Sequence, residues 1–186
     1  MIIRWKLAAL TAVAGLALTA APASAAGSGI VPVAQVDVNR YLGTWKQIAD
    51  IPQWYEALCV RDVTANYSLN ADGTVKVVNT CTGPLNSTIK TVGGARVLDP
   101  GTNAKLQVSF VKVLGKQVYT GSTPNYVIIG LADDYSWAVV GDPSRSSAYI
   151  LSRTPTLTGD KLEAARDALR RSGYDPDKLK PTKQTV

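Results

Sequence analysis

The sequence predicts an all-β domain of eight short antiparallel strands followed by one helix. Apolar and polar residues alternate with period two in several runs between residues 41 and 153. Turn-forming residues punctuate those runs at near-regular spacing, and a single stretch of helical periodicity comes after them. Sequential strands joined by short turns close either as a sandwich or as an up-and-down barrel.

Composition agrees with one ordinary domain. The 186 residues are 46% hydrophobic and 18% charged, with 15 Gly and 10 Pro, which excludes disordered, collagen-like and coiled-coil chains. There is no histidine. That removes His-based triads, His-ligated zinc and haem held by a proximal histidine, and no metal or other cofactor is expected.

Residues 1–25 read as a secretory signal peptide. Arg4 and Lys6 give a basic start, Leu7 to Thr19 an apolar run, and Ala23-Ser24-Ala25 a small-residue end, with cleavage expected near Ala25-Ala26. The apolar run of about 13 residues is short of the roughly 20 that cross a bilayer, although an uncleaved anchor is the alternative. The domain is then 26–186, with the barrel at about 41–153 and the helix at about 158–172. Without Arg4 and Lys6 it carries 18 basic and 14 acidic residues, mostly dispersed. Arg170-Arg171 and Lys178, Lys180 and Lys183 cluster, but with no ring beyond Tyr174 to stack on bases. No nucleic-acid partner and no stable membrane insertion are expected; any membrane contact is transient.

The first strand is Thr44–Ala49. In the next, Val63, Ala65, Tyr67 and Leu69 alternate with Thr64, Asn66 and Ser68, and Asn70-Ala71-Asp72-Gly73 supplies the turn before Val75 and Val77 resume the pattern. Cys59 and Cys81 share the parity of this apolar face. An even cysteine count in an exported chain favours a bridge, here closing 23 residues, with two free thiols as the alternative. The hairpin register puts Cys81 opposite Val63, so a bulge or bend before Val63 has to bring the sulfurs together. Further strands are Gly93–Leu98, Lys105–Val111 (with Leu106, Val108 and Phe110 on one face), Tyr126–Ala132, Tyr135–Gly141 and Ala148–Arg153. In the helix Thr158 is the N-cap, Leu162, Ala165, Ala168 and Leu169 form the apolar face, and Gly173 is the stop. Between the first two strands Pro52, Trp54, Tyr55 and Leu58 fill a loop. Such bulky groups cover either a cavity mouth or the barrel wall.

Asn39-Arg40-Tyr41-Leu42-Gly43-Thr44-Trp45, followed by Ile48-Ala49, resembles the first lipocalin signature with its Gly-x-Trp core. Asp133-Asp134-Tyr135 resembles the second, and Arg153 within Ile150-Leu151-Ser152-Arg153-Thr154-Pro155 the third. Residues 64–69 and 73–79 are similar to the bacterial branch close to apolipoprotein D. The resemblance spans about residues 39–180 and implies an eight-stranded up-and-down lipocalin barrel. In that fold Gly43, Trp45, Asp134, Tyr135 and Arg153 are structural, with the Arg153 guanidinium over the Trp45 indole. Many bacterial relatives look like lipoproteins; no cysteine lies near the cleavage point here, so lipid anchoring is not carried over.

The resemblance further implies a secreted or periplasmic carrier of one small hydrophobic ligand, with fatty acids and lysophospholipids as the leading class. Alternation nominates Ala65, Tyr67, Val75, Val77, Leu106, Val108 and Phe110 as cavity lining, and the last three strands add Tyr126, Trp137 and Tyr149. Lys112, Lys116 and Tyr119 are candidates to meet an anionic head group. The rival readings are a lipocalin-type isomerase using a free cavity cysteine, and a calycin barrel that binds another small molecule or has a filled interior. No Gly-x-Ser-x-Gly elbow or phosphate-binding loop is present, and adjacent Asp133 and Asp134 make a poor acid/base pair.

Overall fold

In a computed structural model the described residues are 29–185; the signal-peptide expectation falls outside them. A one-turn helix α1 (Val38–Tyr41) leads into strand β1 (Gly43–Asp50). Then follow β2 (Arg61–Leu69), β3 (Val75–Thr82), β4 (Thr88–Val97), β5 (Lys105–Ser109), a small hairpin β6 (Lys112–Val113) and β7 (Lys116–Gln117), β8 (Tyr126–Leu131), β9 (Trp137–Gly141) and β10 (Ala148–Ser152). Helix α2 (Gly159–Arg171) and the two-residue strand β11 (Lys180–Pro181) complete the domain. The sheet order β10-β9-β8-β5-β4-β3-β2-β1, with β10 also pairing β1, closes it into an eight-stranded antiparallel barrel. Among the described residues no helix is long and apolar enough to cross a membrane.

Two ends follow from the strand directions. Gly43, Tyr67, Val75 and Ala95 lie near one end, where α1 sits and the 70–74 turn returns the chain. The loops 51–60, 83–87, 110–125 and 142–147 all emerge at the other. The first is the base of the barrel and the second its mouth.

The β2–β3 register runs Leu69↔Val75, Tyr67↔Val77 and Ala65↔Asn79, then slips between Arg61 and Thr64. The extra residue on β2 is the expected bulge. Asp62, with φ of +57°, turns the chain there, and Cys59 and Cys81 are joined in a disulfide with their Cα atoms 5.5 Å apart. A second bulge, between Gln47 and Ala49, changes which residues of β1 face inward. Above Lys46, β1 and β2 no longer pair, and the C-terminal tail fills the gap. β11 pairs with Ala49 and Asp50, the Gln184 amide donates to the Gln47 and Val63 carbonyls, both at 2.9 Å, and Asp62 accepts from Thr185.

Two apolar cores result. One fills the barrel around Trp45, Tyr67, Val77, Ile128 and Val140. The other lies outside, where Ala165, Ala168 and Leu169 of α2 pack on Val127, Ile129 and Val139. Gly130 permits that close approach, since a Cβ there would meet the Ala168 methyl at 2.7 Å. Thr158 occupies the N-cap position as expected, but its hydroxyl caps no backbone N–H. At the other end Gly173 has φ of +78°, its N–H reaches the Arg170 carbonyl and that of Tyr174 the Leu169 carbonyl, the paired bonds of a Schellman stop.

Two expected strands are shorter than their sequence suggests. Tyr135, at φ of +58°, belongs to the turn before β9, which starts at Trp137. Lys105–Val111 ends at Ser109 because Phe110 and Val111 enter the loop leading to the β6–β7 hairpin.

Candidate functional site

The base is built on two neighbouring cation–aromatic stacks. Gly43, with φ of +90°, turns the chain from α1 into β1 and delivers Trp45 to the barrel floor, where it is fully buried and its Nε1–H donates to the Tyr41 carbonyl at 2.8 Å. The Arg153 guanidinium lies 3.6 Å from the Trp45 ring centroid and donates to the carbonyls of Thr44 and Leu42 at 2.8 Å and Arg40 at 2.9 Å. It thereby satisfies orphan carbonyls at the end of α1 as well as covering the indole face. Beside it Arg40 stacks on Tyr135 at 4.0 Å, the Tyr135 hydroxyl accepts from the Asp37 N–H, and Asp134 accepts from the Ser136 N–H and faces Lys161 at 3.5 Å. The residues of all three sequence signatures thus meet at one end.

Above this floor is an apolar cavity of about 30 Å³, room for one or two water-sized groups. Of the ten nominated residues, Tyr67, Val75, Leu106, Val108 and Tyr126 line it. Ala65, Val77 and Tyr149 belong to the same interior core without touching the cavity, and Phe110 sits half-exposed at the mouth beside Gly93. Trp137 does not face inward. It lies on the outer wall, packed in the helix-side core with its ring against Gly130, because β9 turns Ala138 and Val140 into the barrel instead. Both faces of β9 are apolar, so alternation carried no parity signal there.

The cavity is also lined by the floor residues Val36, Val38, Tyr41 and Leu42, together with Ala95, Asn103 and Ile128, none of which alternation nominates. The lead-in is not a strand and has no period to read. Its one local signal was Asp37, whose carboxylate caps α1 by accepting from the N–H groups of Asn39 and Arg40. Within the cavity wall the Tyr126 hydroxyl bonds those of Tyr41 at 2.8 Å and Tyr67 at 3.0 Å. Burial pushes all three phenols up, Tyr67 to about 12. Three O–H groups share two bonds, leaving one hydroxyl hydrogen of the triad available to an acceptor.

A polar collar rings the upper interior. Gln47 donates to Glu56 at 3.1 Å and to Thr182 at 3.0 Å, Tyr55 and Tyr149 bond through their hydroxyls, and Asp50 stands opposite Tyr149 in the β1–β10 pair. Burial raises the Asp50 carboxyl, and burial with the Asp50 charge nearby raises that of Glu56. A carboxyl raised on folding costs stability once it ionises, and this cost vanishes below the unfolded-state range. Glu56→Gln, which keeps an acceptor for Gln47, should therefore stabilise the protein against urea at neutral pH. The gain should disappear as the pH is lowered through the raised Glu56 range to ordinary carboxylate values. A gain of equal size at acid and neutral pH would contradict this account.

The nominated head-group residues are elsewhere. Lys112 and Lys116 are exposed on the β6–β7 hairpin, while Tyr119 packs outside on Gly94 with Arg96 over its ring at 4.9 Å. The weakest part of the wall is the β5–β8 seam, which pairs only Lys105↔Val127 and Leu106↔Tyr126. Beyond Tyr126 the Asn125 side chain stands in for a strand, donating to and accepting from the Val108 backbone at 2.9 and 2.7 Å.

A closed up-and-down barrel, plugged at one end and apolar above the plug, defines a calycin-type binding fold. The chain matches the family described as "Lipocalin-like domain" over residues 36–184. It is 35% identical to the outer membrane lipoprotein Blc of Citrobacter freundii over 157 residues, covering 84% of each chain. It is 29% identical to apolipoprotein D of Mus musculus over 152 residues, covering 80% of this chain and 77% of that one. Lobster apocrustacyanin A1 shares the fold at a TM-score of 0.62 and 17% identity, covering 86% of this chain and 93% of that one. The chain belongs to the lipocalin family, in its bacterial, apolipoprotein D-like branch.

Proposed function

We propose that the protein is an exported carrier that binds one small hydrophobic molecule in its barrel, an acyl lipid of the fatty-acid or lysophospholipid class. The observation that carries this reading is the polarity gradient along the barrel axis: an apolar cavity over the Trp45 floor, then a carboxylate-bearing collar below the mouth. An acyl chain matches the polarity of the first and a polar head that of the second. The export of the relative named as an outer membrane lipoprotein supports the same compartment. Thiol isomerase chemistry requires a thiolate, and both sulfurs are in the Cys59–Cys81 bridge.

Burying about 300 Å² of acyl surface gains roughly 7–8 kcal/mol before the loss of ligand freedom, so affinity is about micromolar or weaker unless the head group is also held. The 30 Å³ cavity has to widen for that chain, and the sparsely paired β5–β8 seam beside Leu106 and Val108 is where the wall yields most readily. Asp50 and Glu56 repel a bare carboxylate at neutral pH and attract an ammonium head. Lysophosphatidylcholine should therefore displace a fluorescent fatty-acid probe better than oleate does, with the difference narrowing as the pH falls and the collar protonates. Val108→Trp, filling the cavity beside the seam, should weaken probe binding at least tenfold while the barrel still melts cooperatively. Undiminished binding in that variant would move the ligand out of the barrel.

A further inference from the structure

Eleven large apolar side chains stand exposed among the described residues, and nine of them lie on three of the four loops around the mouth. The most exposed are Leu85 at 102%, Leu114 at 98% and Trp54 at 86%, each near the tip of a different loop. Water-facing leucines and tryptophan concentrated at one end of a domain mark an interaction surface.

The backbone strengthens the point. Leu85 has φ of +55° and Leu114 φ of +48°, a region that disfavours a branched side chain and suits Asn or Gly. Leu114-Gly115 is the two-residue connection of the β6–β7 hairpin, where Asn-Gly is the preferred pair. Leucine occupies two turn positions where it is both conformationally unfavourable and solvated. Neither leucine is among the residues of the interior core or the helix-side core.

Charge selects the partner. Lys112 and Lys116 flank the Leu114 tip, are exposed, and take part in none of the ion pairs among the described residues. At the same end Asp62 pairs with Arg61, and Glu56 and Asp50 sit within the collar rather than at the tips. Apolar tips on separate loops, with free ammonium groups beside them, match a lipid interface, where hydrophobic groups enter the acyl boundary and lysines meet phosphates.

We propose that the mouth is a docking surface for anionic membranes, with Trp54, Leu85 and Leu114 inserting as three anchors and Lys112 and Lys116 contacting lipid phosphates. The barrel opening then faces the bilayer. This goes beyond ligand carriage and does not depend on which molecule occupies the cavity.

The test is co-sedimentation of purified protein with vesicles of phosphatidylcholine alone or mixed with phosphatidylglycerol, alongside Leu85→Asn/Leu114→Asn. Asparagine suits both backbone positions, so the double variant should melt no lower than the parent. Its partition onto phosphatidylglycerol vesicles should fall at least tenfold. Lys112→Gln/Lys116→Gln should erase the preference for the anionic vesicles and its salt dependence. Binding of the fluorescent acyl probe in solution should be unchanged in both variants, which separates this proposal from the ligand reading. Equal partition of the double variant and parent would overturn the proposal. So would a parent that ignores both kinds of vesicle, or one whose self-association is abolished by the leucine changes.

Discussion

Trp45→Ala should lower stability by about 3–5 kcal/mol, the range for removing a large aromatic from a packed core. The side chain is fully buried at the barrel floor, so its loss leaves a void that α1 and β1 cannot collapse to fill without breaking the Gly43 turn. Its removal also strips Arg153 of the surface it covers, a desolvated cation–π contact worth about 2 kcal/mol that overlaps with the packing loss. Tyr41, whose carbonyl accepts from the indole and whose hydroxyl holds Tyr126, loses its alignment next. Urea denaturation would show the loss of stability, while ligand affinity measured well below the melting temperature should change only a few-fold. Arg153→Lys should fall between parent and Trp45→Ala, because an ammonium keeps the charge but cannot reach several carbonyls in one plane. An unchanged melt in Trp45→Ala would refute the floor's architecture.

Opening the Cys59–Cys81 bridge, by reductant or by replacing both cysteines with serine, should cost roughly 3 kcal/mol through the 23-residue loop it closes. For a domain of this size that corresponds to a drop in melting temperature of about 6–12 °C. The bridge also ties the end of the 51–60 loop to β3, and that loop carries Tyr55 and Glu56 into the collar. Probe affinity at low temperature should therefore weaken together with the melt, in contrast to Trp45→Ala, where the two separate. Calorimetry with and without reductant, paired with probe titration on the same samples, distinguishes the two outcomes.

These effects show which parts of the molecule sequence could reveal. Where one face of a strand is solvated, as in β2 and β3, alternation placed Tyr67, Val75 and Val77 inside. The parity of the cysteines even required the bulge that Asp62 provides. Where both faces are covered, as in β9 beneath α2, the pattern carries no such information, and Trp137 faces the helix instead of the expected interior. The collar is invisible to alternation for another reason. The bulge after Gln47 puts Asp50 opposite Tyr149, and Glu56 enters from a loop, so no periodic reading of β1 brings these groups together. Asn125 stands in for backbone through its side chain, which no strand propensity anticipates.

The placement of the tail has a consequence for how the cylinder comes apart. Gln184 bridges β1 and β2, and the Lys183 carbonyl accepts from the Asp62 N–H, so the upper wall is closed by a segment 137 residues from Gln47 and 121 from Val63 in sequence. Ordering so distant a segment is entropically costly and its bonds lie at the margin of the wall, so this seam should detach before the remaining strands melt.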